Sequence, residues 1–291
     1  MQSPKNIDLE QLYWNIIFGR SKRRISVDEL KLNLHKISPP VFFISTGRTG
    51  TKWFADLFTQ ARGFKTFHAP SPDLAAQNCF AYTLQKNSSL QTEEINTILG
   101  HIFLAGREQQ LRYSYKSEKA YIETNNHLTF FAPVIAALLP QAKFVHLYRH
   151  PGDFVSSGLK RRWYTSETTQ LRQITPALPP VKEDFDTYNE IQKIAWLWNE
   201  TNDFIETFKS DIGEKRSFSF DFSSMTLESL SDLIRFTGAH IPESRLKKRL
   251  HQSLNGQLYA QSEKYQNWPA KEKELLVNMC KPLADKYGYS L

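Results

Sequence analysis

An apolar run, Val41-Phe42-Phe43-Ile44, leads straight into Ser45-Thr46-Gly47-Arg48-Thr49-Gly50-Thr51-Lys52 and on into Trp53-Phe54-Ala55-Asp56-Leu57-Phe58. No other stretch constrains the fold as tightly. A strand, a tight loop with two glycines and a helix follow one another without a gap. Chains use such a unit to hold an anion. Gly47 and Gly50 permit the turn, and the amides of residues 49–52 point from a helix N-terminus at the ligand. Arg48 and Lys52 add positive charge. An ordinary strand-to-helix turn requires fewer of these residues. A nucleotide triphosphate loop carries Gly-Lys followed by Ser or Thr, with the lysine on the phosphates and the hydroxyl on magnesium. Here the run is shorter and lacks that element, so it suits a phosphate whose chemistry needs no bound metal.

Further strands are expected at about 64–68, 120–124, 143–148 and 216–221, after a first at 41–46. Apolar helical segments at 51–61, 127–139, 152–162, 187–209 and 226–237 separate them. Parallel strands alternating with helices predict an α/β fold, a central parallel sheet covered by helices on both faces. Residues 1–38 read as a helical arm, with Leu9, Leu12, Tyr13, Ile16 and Ile17 at helical spacing, and Pro39-Pro40 break the chain before the first strand. The domain proper is then 39–291. Within it, the stretch from Thr165 to Asp186 carries Pro176, Pro179 and Pro180 without clear periodicity, which marks a lid or binding loop.

Composition narrows the function. The 291 residues are 40% apolar, enough to bury a sizeable core, and the net charge is +7. That balance suits nucleic acid, an anionic membrane or a highly anionic small ligand. The basic residues are scattered, with no nucleic-acid-binding signature. The sharpest basic runs are Arg20 to Arg24 and Lys160-Arg161-Arg162. The longest apolar stretch, Phe130 to Leu139, contains Pro133 and is too short to span a bilayer. Two cysteines, Cys79 and Cys280, make neither a disulfide framework nor a metal cluster. With no signal peptide at Met1-Gln2-Ser3-Pro4-Lys5, a soluble cytoplasmic protein is expected.

A second constellation repeats the logic of the first. Lys143-Phe144-Val145-His146-Leu147-Tyr148-Arg149-His150-Pro151-Gly152-Asp153-Phe154-Val155-Ser156-Ser157 reads as strand, turn and helix. Arg149 ends the strand and Ser157 lies about two turns into the helix. A guanidinium fork and a hydroxyl so placed can converge on one phosphate. Alternatively, Arg149 pairs with Asp153 at the helix start.

Together, Ser-Thr-Gly-Arg-Thr-Gly-Thr-Lys-Trp at 45–53 and Tyr-Arg-His-Pro-Gly-Asp-Phe-Val-Ser-Ser at 148–157 resemble the two motifs of the sulfotransferases that use 3′-phosphoadenosine 5′-phosphosulfate (PAPS). The resemblance runs from about residue 40 to the end. It includes Ile194 to Ile205 with Trp196, Trp198 and Asn199, and Phe218 to Gly238 as the last strand and helix. It implies a P-loop-like three-layer sandwich and a PAPS-dependent transfer that leaves 3′-phosphoadenosine 5′-phosphate (PAP). On that likeness, Thr49, Gly50, Thr51 and Lys52 cradle the 5′-phosphate, and Arg48 contacts the oxygen bridging phosphorus and sulfur. Arg149 and Ser157 bind the 3′-phosphate. Trp53 packs on adenine or, as the first-turn position also allows, sits in the core. Lys264 closes over the cofactor from a C-terminal basic loop.

Sulfuryl transfer resembles loose phosphoryl transfer, in which alignment and charge stabilisation dominate. An acceptor hydroxyl also needs a base. Some branches of the family place a catalytic Glu where His68 ends the second strand here. The cytosolic branch places its catalytic His at the spacing to Arg149 that His127 shows. Glu123 is a third candidate. A histidine at a helix start can instead serve as a cap. The expected acceptor is a small molecule, with a carbohydrate as the alternative; the aromatic residues Trp163, Tyr164 and Tyr188 around the lid suit a compact one. A metabolite kinase would need the missing Walker lysine and a magnesium carboxylate. No metal, nucleic acid or membrane partner is expected.

Overall fold

The computed structural model describes residues 39–87, 89–166, 172–251 and 265–291. The expected arm at 1–38 and Lys264 lie outside these residues. Five parallel strands form one sheet: β1 (Val41–Ser45), β2 (Phe64–His68), β3 (Ala120–Thr124), β4 (Lys143–Tyr148) and β5 (Ser217–Asp221), in the order β2-β3-β1-β4-β5. β1 lies at the centre and is buried along its whole length. It pairs with β4 so that Val41 faces Lys143 and Ser45 faces Leu147, and with β3 so that Val41 faces Ile122.

Successive side chains of these strands point to opposite faces, and the core divides accordingly. Val41, Phe43, Ile122, Val145, Leu147 and Phe220 pack on one face against α1 (Thr51–Phe58). Phe42, Ile44, Tyr121 and Phe144 pack on the other. That second face is covered by α2 (Ala75–Asn87), α3 (Thr92–Lys116), α4 (Ala132–Leu138), α5 (Pro151–Leu159) and, beyond the short α6 (Val181–Asp184), α7 (Glu190–Ile212). The first face adds α8 (Leu227–Thr237) and α9 (Glu243–Leu250), and the second adds α10 (Ala270–Lys286). The result is a three-layer sandwich, as a buried parallel sheet requires.

All five strands fall where the apolar pattern puts them. Five helices fall where that pattern singles out none: α2, α3, the short α6, α9 and α10. The segment expected as one helix over 127–139 begins as a 3-10 turn at Asn126–Phe131, and α4 follows with Pro133 in its first turn. The 165–186 stretch is not loosely held where it is described. Ile174, Ala177 and Phe185 are buried in the core, and Tyr164 Oη donates to the Ile174 carbonyl at 2.7 Å. Trp163 and Tyr164 are buried too, so their rings pack the core rather than line an acceptor pocket. Among the described residues, no helix is long and apolar enough to cross a membrane.

Candidate active site

The first cradle begins where β1 is locked in place. Thr129 Oγ accepts from the Ser45 amide at 3.0 Å and donates to the Ser45 carbonyl at 2.9 Å. Ser45 Oγ then accepts the Gly47 amide at 3.0 Å, which starts the turn. Gly47, Arg48 and Gly50 all take positive φ, at 83°, 56° and 81°. At Gly50 a side chain is excluded twice over, because a Cβ there would lie 2.1 Å from the Phe222 ring. No side chain caps α1. The amides of its first turn, which have no partner inside the helix, are therefore left for an anion. Thr49 is wholly buried, and its Oγ has no hydrogen-bond partner among the described residues. Lys52 is exposed and sits 3.5 Å from Asp56 across one turn. Trp53 is buried against Phe54, and the Arg249 guanidinium lies over its ring at 5.7 Å.

The second cradle stands beside the first because β4 is the neighbour of β1. Pro151 opens α5, and His150 Nδ1 accepts the Gly152 amide at 3.1 Å as its N-cap. The Arg149 carbonyl accepts from Trp198 Nε1 at 2.9 Å, which fixes the turn from α7. The Arg149 guanidinium reaches both ways. Nη1 donates to the Arg48 carbonyl at 3.3 Å and Nη2 to Asp153 Oδ2 at 3.2 Å. The pairing with Asp153 is thus present, and it leaves Arg149 at the first loop. Ser157 Oγ accepts from Arg48 Nε at 3.2 Å. A second donor, Arg161 Nη1, reaches it at 3.2 Å. Two guanidinium side chains, those of Arg48 and Arg161, therefore meet on the Ser157 hydroxyl, and a third, that of Arg149, reaches the Arg48 carbonyl. Arg48 is the link, since it belongs to the first loop and touches the hydroxyl of the second. Arg161 was visible in sequence only as part of a basic run. Its place facing Ser157 could have been found from the four-residue spacing between them.

The three candidate bases have different surroundings. His68 ends β2, is exposed, and places Nδ1 2.8 Å from the Thr124 carbonyl and 3.0 Å from Thr124 Oγ. A carbonyl only accepts, so Nδ1 carries the proton and Nε2 is left as a lone-pair acceptor. His127 lies just past the N-cap residue Asn125, whose side chain accepts the His127 amide at 3.0 Å. Burial lowers the pKa of its ring, partly offset by the Asp73 carboxylate, and Arg172 lowers it further. Its Nδ1 has no hydrogen-bond partner among the described residues. Glu123 is wholly buried. Arg107 donates to it through Nε at 3.0 and 2.8 Å and through Nη2 at 2.7 Å. Tyr121 Oη and Asn125 Nδ2 also donate to it. Both oxygens of Glu123 are committed, so it anchors the fold and leaves no lone pair facing an acceptor.

A family described as "Sulfotransferase family" matches residues 39–238. No curated protein matches. Among solved structures, the sulfotransferase domain from the Synechococcus PCC 7002 olefin synthase is similar at a TM-score of 0.50 and 15% identity, covering 88% of this chain and 96% of that one. The sulfotransferase domain from the curacin biosynthetic pathway gives 0.49 at 12% identity, covering 88% and 99%. Sulfotransferase STF9 from Mycobacterium avium gives 0.49 at 11%, covering 97% and 82%.

Proposed function

Because the chain belongs to the sulfotransferase family, we propose that it moves the sulfuryl group of PAPS to a hydroxyl or nitrogen of a small-molecule acceptor. One observation carries the reading: Arg48 joins the two loops, its side chain on the Ser157 hydroxyl and its carbonyl on the Arg149 guanidinium. A donor with phosphate at both its 5′ and 3′ positions needs two cradles side by side, and the neighbouring β1 and β4 supply them. The residues present fit that donor. The first-turn amides of α1 and the buried, unpartnered Thr49 hydroxyl suit its 5′ end. Arg149 and Ser157 suit the 3′-phosphate. PAPS, when bound, supplies the sulfuryl group and a phosphate that can leave.

The protein's share is alignment, charge and a proton acceptor. Arg48 and the loop amides stabilise negative charge where it grows on the leaving oxygen. His68 Nε2 takes the proton of an acceptor hydroxyl, and its ring is oriented by Thr124. Arg172 pairs with Asp73 beside His127, so Arg172 stands on the histidine side of the site. This favours a compact acceptor.

A thermal-shift series with PAP, 5′-AMP, ATP with magnesium, and no ligand tests the donor. Binding to the native state raises apparent stability by mass action. PAP should stabilise most and 5′-AMP much less. Arg149→Ala should weaken PAP binding by roughly tenfold to a hundredfold, as loss of a charged hydrogen bond does, with 5′-AMP nearly unchanged. A larger shift with ATP and magnesium than with PAP would overturn the reading.

A further inference from the structure

The basic run Lys160-Arg161-Arg162 follows directly on α5, and its members part ways. Lys160 and Arg162 are exposed, whereas Arg161 is half-buried. The chain turns there: the Arg161 amide donates to the Gly158 carbonyl at 2.9 Å, and Arg162 takes a φ of 54°. The Arg161 side chain folds back along the helix by one turn. Its Nη1 donates to the Ser157 carbonyl at 3.1 Å and to Ser157 Oγ at 3.2 Å. The first bond is what an arginine at a helix end ordinarily makes. The second goes to the hydroxyl of the candidate phosphate site.

A serine hydroxyl has two lone pairs and one hydrogen. Arg161 Nη1 and Arg48 Nε, each at 3.2 Å, occupy the two lone pairs. The hydrogen must point in the remaining direction, and Ser157 Oγ donates to none of the described residues. We propose that Arg161 is a positioning residue of the 3′-phosphate site: it holds Ser157 as a donor toward the ligand. This rests on the reading of Arg149 and Ser157 as the 3′-phosphate pair. Without Arg161 one lone pair is vacant and the hydroxyl is free to turn away. A serine that must find its rotamer on binding contributes less than one already set.

Calorimetric binding of PAP and of 5′-AMP to the wild type, Arg161→Ala, Arg161→Lys, Ser157→Ala and the Ser157→Ala/Arg161→Ala double variant tests this. Arg161→Ala should weaken PAP by about three- to tenfold, the worth of one neutral hydrogen bond, and leave 5′-AMP unchanged. Arg161→Lys, which keeps a donor, should recover most of the loss. In the Ser157→Ala background, Arg161→Ala should add nothing, because the group it acts through is gone. Equal losses for PAP and 5′-AMP would reduce Arg161 to a helix cap and overturn the proposal. So would an Arg161→Ala loss that persists in full without the serine hydroxyl, which would make Arg161 a direct contact. If Ser157→Ala itself leaves the preference for PAP over 5′-AMP intact, the 3′-phosphate reading fails and takes the role of Arg161 with it.

Discussion

Arg107→Met is the most demanding test of how the site is supported. Arg107 and Glu123 are both fully buried and joined by the three hydrogen bonds described above. Arg107 Nη1 also donates to the Pro72 carbonyl at 2.7 Å and the Gly106 carbonyl at 2.8 Å. Burial alone would lower the arginine's pKa, but Glu123 more than offsets this and raises it. Methionine keeps much of the side-chain volume and strands the carboxylate, which retains only Tyr121 and Asn125 as donors. Breaking one side of a buried pair costs about 3–5 kcal/mol. Against a total of roughly 5–15 kcal/mol, that is a large fraction. Urea unfolding followed by circular dichroism reads the cost directly. Arg107→Met combined with Glu123→Gln should lose less than Arg107→Met alone, since the stranded charge is then gone. A loss below about 1 kcal/mol would refute the reasoning, because that is the worth of a solvated surface pair. A further check separates anchor from base: Glu123→Gln should keep its rate of sulfuryl transfer in the fraction that folds.

Two other outcomes follow from the site and its surroundings. His68→Ala should lower single-turnover sulfuryl transfer by about 10²-fold with PAP affinity unchanged, and His127→Ala should cost far less; the reverse pattern would make His127 the base. Burial pushes the Glu206 carboxyl up, but the His146 ring at 3.4 Å and hydrogen bonds from Lys209 and Lys286 more than offset it and hold its pKa well below the usual glutamate value. Its contribution to stability is therefore present above the ordinary carboxylate range and is lost as pH falls through the depressed value. Glu206→Gln should be less stable than wild type at neutral pH, and the two urea midpoints should draw together progressively as pH falls below about 4.

Much of the architecture was legible because the central strand β1 is buried along its whole length and reads as an almost unbroken apolar run. The two cradles were legible because glycine, arginine and hydroxyl residues stand at strand ends, where a parallel sheet gathers its ligands. α3 was hidden for a physical reason. Its buried stripe mixes Leu99, Phe103, Leu104 and Leu111 with Gly100, Gly106, Arg107, Gln110 and Ser114, which interrupt the apolar period. Arg107 belongs on that face because Glu123 lies opposite, a partner sixteen positions away that no local pattern reveals. The lid illustrates the converse. Prolines at 176, 179 and 180 remove periodicity without removing contacts, and Ile174 and Phe185 still reach the core. Side-chain direction was the other blind spot. Nothing in the order of residues indicates that Arg48 turns toward Ser157, or that the ring of Trp53 lies under Arg249 rather than open to a ligand.

The pairing of β1 with β4 has a consequence for how the protein is made. The two halves of the anion site are about a hundred positions apart in the chain and touch only because Ser45 stands opposite Leu147. A slip of one residue in that ladder would carry Arg149 about 3.3 Å along the strand relative to the first loop and turn Phe43 and Val145 to the wrong faces. Neither half forms a site alone, and closing so long a loop comes late in assembly. On the proposed reading, affinity for PAP would therefore gauge whether β1 and β4 have paired in register.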